Sequence, residues 1–160
     1  MKEKDEYGEK FAEHLIEEYK LYVQMTDNIS ARRAQANAFF ISVLSALLLF
    51  LSLSGEGKLF DDIQNITFIA ISLLSFLLCY IWHLNIQSYK QLNSAKFKVI
   101  HEIEQYLPYP CFDKEWDFAG RGKDKKKYRP LTQVENYVPL IMAIPFLVIL
   151  IYGIFISLLK

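Results

Sequence analysis

Residues 63–89 read IQNITFIAISLLSFLLCYIWHLNIQSY, 27 residues from Ile63 to Tyr89 without one Asp, Glu, Lys or Arg. An α-helix rises about 1.5 Å per residue, so roughly 20 residues cross a hydrocarbon layer about 30 Å thick. Two more charge-free stretches flank this one: Ala34–Gly55, with 22 residues, and Asn136–Leu159, with 24. All three are rich in Leu, Ile and Phe. A soluble core helix is usually shorter or broken by polar residues. The sequence therefore predicts an all-α integral membrane protein with three transmembrane helices.

Whole-chain averages conceal this. Of 160 residues, 18 are basic and 18 acidic, and 52% are hydrophobic, little above a globular average. Nearly all the charges lie in Met1–Arg33 and Lys90–Glu135. A start this charged is unlike a cleaved signal peptide, which needs an early apolar stretch, so the first span is expected to stay in the mature protein. Lys and Arg set orientation. Six precede Ala34 and ten lie in Lys90–Glu135, against Lys58 in the short loop and Lys160 at the end. This bias predicts a cytosolic N-terminus and long second loop. Cys79, inside a span, and Cys111, in that loop, fall at different depths in a reducing setting, so no disulfide is expected.

The expected organisation is a cytosolic amphipathic helix in 1–33, spans in 34–55 and 63–85 joined by a short external loop in 56–62, a helical extension in 86–107, a basic loop in 108–135 and a third span in 136–160. In residues 5–30, Tyr7, Phe11, Leu15, Tyr22, Met25 and Ile29 share helical spacing. Gly55 and Gly57 suit a helix stop, and Asp61 or Asp62 the next N-cap. Beyond the second span, Tyr89, Leu92, Val99, Ile103, Tyr106 and Leu107 form a second stripe, with Glu104 placed off it, before Pro108 and Pro110 end the helix. Exposed apolar stripes need partners. The second cytosolic helix could pack against the N-terminal one or against a neighbouring subunit, and a ring-like homo-oligomer with a helical collar would supply the latter.

Two spans carry weakly polar stripes. In the second, Asn65, Ser72, Ser75, Cys79, His83 and Gln87 fall within about a third of the circumference at 100° per residue. In the first, Gln35, Ala38, Ser42, Ser45, Ala46 and Ser52 do the same. Small and hydroxylated residues let membrane helices pack closely, so the second-span stripe is read as a helix interface or, alternatively, a pore lining. No charged ring accompanies it, which disfavours a strongly charge-selective channel. His83, near Trp82, also allows a pH-sensing reading. The third span contains Pro139, Pro145 and Gly153. It is expected to be peripheral and kinked at Pro145, or alternatively to be bent there into a re-entrant segment.

The densest charge lies in Gly120–Pro130, with Arg121, Lys123, Lys125, Lys126, Lys127 and Arg129. It lacks the GxxxxGK[ST] phosphate loop and any nucleic-acid-reading module, so no nucleic acid is expected. Beside a membrane such a loop meets anionic lipid, at about 1 kcal/mol per cation near the surface, or simply fixes topology. His14 among Glu13, Glu17 and Glu18, and His101 beside Glu102 and Glu104, form no HExxH, and no nucleophile pair stands out. Neither an enzyme nor a cofactor or metal site is expected.

Leu92-Asn93-Ser94-Ala95-Lys96-Phe97-Lys98-Val99-Ile100, Gly120-Arg121-Gly122-Lys123-Asp124-Lys125-Lys126-Lys127-Tyr128, and Ser30-Ala31-Arg32-Arg33 with Asn37 resemble the RipA family of bacterial octameric membrane proteins. The resemblance runs from about Tyr19 to Pro139 and leaves out the first residues and the end of the third span. It implies a bacterial inner-membrane homo-octamer, linked in some members to growth inside host cells, and supplies no catalytic residues. The functional expectation is a self-assembling scaffold or envelope-maintenance component whose basic loop touches membrane lipid. An oligomeric pore lined by the second-span stripe is the alternative, and a sensor a third.

Overall fold

The computed structural model describes residues 4–56, 64–124 and 126–159. The order is α1 (Lys4–Tyr7), α2 (Phe11–Glu56), α3 (Gln64–Glu104), α4 (Cys111–Phe118), a 3-10 turn (Gly120–Gly122), α5 (Leu131–Glu135) and α6 (Val138–Leu159), with no strand among the described residues. Three of these helices, α2, α3 and α6, contain windows long and apolar enough to cross a membrane. The expected loop signals at Gly57, Asp61 and Asp62 lie outside the described residues. The chain divides into two compact units, a charged one from Met1–Arg32 and Tyr89–Pro130 and an apolar one from Arg33–Ser88 and Leu131–Lys160.

In the charged unit the expected first helix is broken near its start. Gly8 takes a φ of +97°, which separates α1 from α2, a conformation that costs a glycine little. Beyond it, α2 runs through Arg32 and Arg33 without interruption. Its buried face differs from the expected one. Leu15 and Ile29 are buried, whereas Tyr7 and Met25 are exposed. Thr26 is buried in their stead, with Tyr19 half-buried. Thr26 can go inside because its Oγ1 donates to the Tyr22 carbonyl at 2.9 Å, which removes the penalty of an unpaired hydroxyl. Opposite, Lys96 sits 5.0 Å above the Tyr22 ring, a cation–π contact.

The α3 stripe also shifts. Ile100 and Ile103 are buried, Leu92 and Tyr106 are exposed, and Glu104 is buried. α3 ends at Glu104, three residues before the expected Leu107. The region expected as loop 108–135 holds two helices, α4 and α5. Pro110 can precede α4 because proline lacks only an N–H that a helix start leaves unpaired in any case.

In the apolar unit Phe40, Leu44, Leu51, Phe68, Cys79, Trp82, Ile86 and Phe146 form one buried cluster. Phe40 and Trp82 stack with ring centres 5.6 Å apart and planes 9° from parallel. α6 joins along a narrow line. Its buried residues are Pro139, Phe146 and Gly153, spaced by seven, which returns to one helix face every two turns. Gly153 lets α6 approach α3 closely. A Cβ there would lie 3.2 Å from Ile69 Cγ1 and 3.7 Å from the Asn65 carbonyl oxygen. The helix continues through Pro145 to Leu159 as a single element, which does not match the re-entrant alternative.

Candidate functional site

Three clusters gather the polar chemistry. The first lies in the charged unit around Glu104, whose side chain is 0% exposed. Its Oε1 accepts from the Phe112 N–H at 2.7 Å and from the Tyr19 hydroxyl at 3.1 Å. Its Oε2 accepts from the Asp113 N–H at 3.0 Å and lies 3.3 Å from His101 Nδ1. Phe112 and Asp113 open α4, and the capping residue Pro110 makes no side-chain hydrogen bond. Helix starts leave N–H groups unpaired and carry partial positive charge, so a carboxylate from the end of α3 serves as the missing cap. Burial pushes the Glu104 carboxyl up, but the Phe112 and Asp113 N–H groups, His101 and Tyr19 outweigh it and hold it below its usual range. Burial, and then the bond to Glu104, push the Tyr19 hydroxyl up to about 12. Phe112 also packs on Phe97, edge to face at 5.7 Å. The cluster therefore fastens α2, α3 and α4 together. No sequence spacing signals it, because Tyr19 lies 85 residues from Glu104.

The second cluster is the basic loop. Gly120, Arg121 and Gly122 all have positive φ, at +74°, +50° and +70°. The Trp116 ring lies 3.2 Å from where a Gly122 Cβ would be. This turn aims Arg121 back at α4, where its Nε donates to Asp117 and its Nη2 to Asp113 at 3.2 Å. The bond from Nε holds the Asp117 carboxyl below its usual range. The Arg121 charge is thus matched inside the unit. Lys123, Lys126, Lys127 and Arg129 are exposed, and Lys125 lies outside the described residues. A turn at Asp124, which accepts the Lys126 N–H at 2.9 Å, holds the run in place.

The third cluster lies in the apolar unit, where charge resumes at the end of the spans. Trp82 Nε1 donates to Asn37 Oδ1 at 2.8 Å, and Asn37 Nδ2 donates to Glu135 Oε1 at 3.3 Å. Arg33 Nε lies 3.5 Å from Glu135 Oε2, both side chains being largely buried. Gln87 donates to Asn136 at 3.1 Å. One chain of contacts thus ties α2, α3 and the entry to α6. A buried carboxylate persists when paired and bonded, as Glu135 is.

The two polar stripes part company. On α3, Ser72 and Ser75 are 0% exposed and Cys79 is 5% exposed, while Asn65, His83 and Gln87 are half-buried. Ser75 donates to the Ile71 carbonyl at 2.8 Å, and the Ser72 hydroxyl has no partner among the described residues. On α2, Gln35, Ala38, Ser42, Ser45, Ala46 and Ser52 are all exposed. Among the described residues no group of His, Cys, Asp and Glu is placed to hold a metal ion.

No curated protein and no solved structure matches the chain. The family model of the octameric membrane protein family (8xMP) matches residues 16–155, a span that contains the Glu104 cap, the basic loop and most of all three apolar helices. With three helices apolar enough to span a bilayer and that match over most of its length, this chain belongs to the octameric membrane protein family.

Proposed function

We propose that this protein is a self-assembling scaffold or envelope-maintenance component of a bacterial inner membrane, of the RipA kind, with its N-terminus in the cytosol. The observation that carries the reading is the basic loop. Lys123, Lys126, Lys127 and Arg129 stand exposed, while Arg121 is engaged by Asp113 and Asp117. A fixed set of exposed cations on a chain with zero net charge suits an anionic bilayer surface, at about 1 kcal/mol per cation. Eight copies would multiply that attraction without any new contact.

The pore alternative loses ground. The Ser72–Ser75–Cys79 face is buried within one copy, which supports a helix-packing role for that stripe.

The test is to replace Lys123, Lys126, Lys127 and Arg129 with glutamine and measure the anionic lipid retained through purification, by lipid mass spectrometry. The expected result is a fall in bound anionic relative to zwitterionic lipid, with the subunit number unchanged. Equal anionic lipid in the variant and the parent would refute the reading.

A further inference from the structure

The phenylalanines of α4 point different ways. Phe112 packs inward on Phe97 and Tyr19. Phe118 lies about 120° further around the helix and is 78% exposed. Among the described residues of the charged unit no other large apolar side chain is so open, Tyr109 following at 58%. At 100° per residue Cys111, Lys114 and Phe118 share one face, and all three are exposed.

The basic loop returns to this end of α4. The positive-φ turn at Gly120–Gly122 brings the Lys127 stem to 3.6 Å from where a Gly120 Cβ would lie, close in the chain to Phe118. Tyr128 meets Trp116 edge to face at 6.0 Å. On α4 the acids Asp113 and Asp117 are engaged by Arg121. Glu115 borders the Phe118 face, one carboxylate against the exposed Lys123, Lys126, Lys127 and Arg129. A bare phenyl ring beside an excess of cations suits the headgroup layer of an anionic bilayer. Aromatic rings settle at that boundary, and cations meet the lipid charge there. A twofold contact of this patch with a second copy would set cation against cation. Chain length brings the bilayer within reach. Only ten residues separate Tyr128 from Val138, where α6 begins, or at most about 36 Å of extended chain. A patch tethered this closely meets the bilayer at high effective concentration.

We propose that Phe118 is the apolar anchor of the basic loop, inserted at the headgroup–acyl boundary of an anionic bilayer while Lys123, Lys126, Lys127 and Arg129 meet the lipid phosphates. The proposal deepens the lipid reading of the basic loop, on which the placing of the cations rests. Cations alone hold a surface by a force that salt screens, over about 8 Å at physiological strength and about 3 Å at 1 M. An inserted ring adds a contact that salt does not weaken.

The test places a nitroxide on Phe118→Cys of the full-length protein, with Cys79→Ala and Cys111→Ala, in nanodiscs of phosphatidylglycerol and phosphatidylcholine. Power-saturation EPR compares collisions with oxygen, which concentrates in lipid, and with a water-soluble nickel chelate. Oxygen collisions should exceed nickel collisions about twofold or more, at a depth of about 5–10 Å. The excess should persist at about 1 M salt. Nickel collisions in excess would place position 118 in water, and protection from both would place it under protein, a neighbouring copy included. Either result overturns the proposal. So does an oxygen excess that vanishes at high salt, which would leave attachment by charge alone. If the labelled chain does not insert, Phe118→Trp in a Trp82→Phe/Trp116→Phe background, read by quenching from nitroxide lipids, decides in its place. Lipid retention by the basic-loop variant is measured separately. A fall in retained anionic lipid with position 118 in water would keep the lipid reading and remove the anchor. Unchanged retention with position 118 in lipid would refute the role given to the cations alone.

Discussion

Replacing Glu104 with glutamine preserves the shape of the side chain and removes its charge, which isolates what the carboxylate does. Glu104 receives the Phe112 and Asp113 N–H groups at 2.7 and 3.0 Å and the Tyr19 hydroxyl at 3.1 Å. A hydrogen bond to a charged group contributes about 1.5–3 kcal/mol and a neutral one about 0.5–1.5, so each donor loses about 1 kcal/mol. Loss of the charge at the α4 start removes about 0.3–1 kcal/mol more. The glutamine NH₂ also faces a donor it cannot satisfy. Together these come to about 2–4 kcal/mol against the attachment of α4. At about 1.4 kcal/mol per tenfold, even the lower figure raises the open population about 30-fold. The assay is amide hydrogen exchange of Phe112 and Asp113 in the full-length protein, which reads the ratio of open to closed forms. Glu104→Gln should accelerate both amides at least tenfold while leaving Gly153, in the apolar unit, unchanged. Exchange within about twofold of the parent would refute the capping account. It would mean that Phe112 packing on Phe97 and Tyr19 holds α4 without help.

The same cluster gives the charged unit a pH window. Glu104 contributes stability that is present above its unfolded value near 4.5 and lost as pH falls through its lower folded value. Tyr19 contributes stability that is full below its unfolded value of 10.0 and lost as pH rises through about 12. Thermal unfolding followed by Trp116 fluorescence in a Trp82→Phe background should show the midpoint falling on both sides of this plateau. In the apolar unit, Phe146→Ala should weaken α6 docking by about 1–3 kcal/mol, less than in a soluble core because lipid tails solvate the exposed surface. Gly153→Leu should do the same through the 3.2 Å approach to Ile69, while Gly153→Ala is nearly neutral because a small shift of the Ile69 side chain makes room. Protease accessibility of the 131–137 segment reads all three. Asn37→Leu should lower the thermal midpoint by removing the acceptor of Trp82 Nε1, at about 1 kcal/mol for a membrane hydrogen bond. An unchanged midpoint would show that the Phe40–Trp82 stack alone fixes the indole.

Membrane class, the number of long apolar helices and most of their extent are legible in the residue order alone. Charge is so costly in hydrocarbon that Ala34–Gly55, Ile63–Tyr89 and Asn136–Leu159 declare themselves without reference to any other residue. The likeness to octameric membrane proteins was legible as well, in runs such as Leu92–Ile100 and Gly120–Tyr128. The break at Gly8 was visible only as a residue type, since its φ of +97° depends on the chain around it. Sidedness was not legible. The α2 and α3 stripes have the same small, hydroxylated character, yet Ser72 and Ser75 turn inward while Ser42 and Ser45 turn outward. That choice belongs to volume: Phe40, Trp82 and Phe146 fill one shared space, and each helix must rotate to deliver them there. Glu104 and Arg121 show the same limit for charge. In sequence, one is a surface glutamate and the other a free cation of the basic loop. Only the fold brings Tyr19, Phe112 and Asp113 around the first, and Asp113 and Asp117 around the second. Hydropathy is a property of each residue and its neighbours in the chain, whereas the partner that makes a buried charge tolerable is supplied by residues the chain places far away.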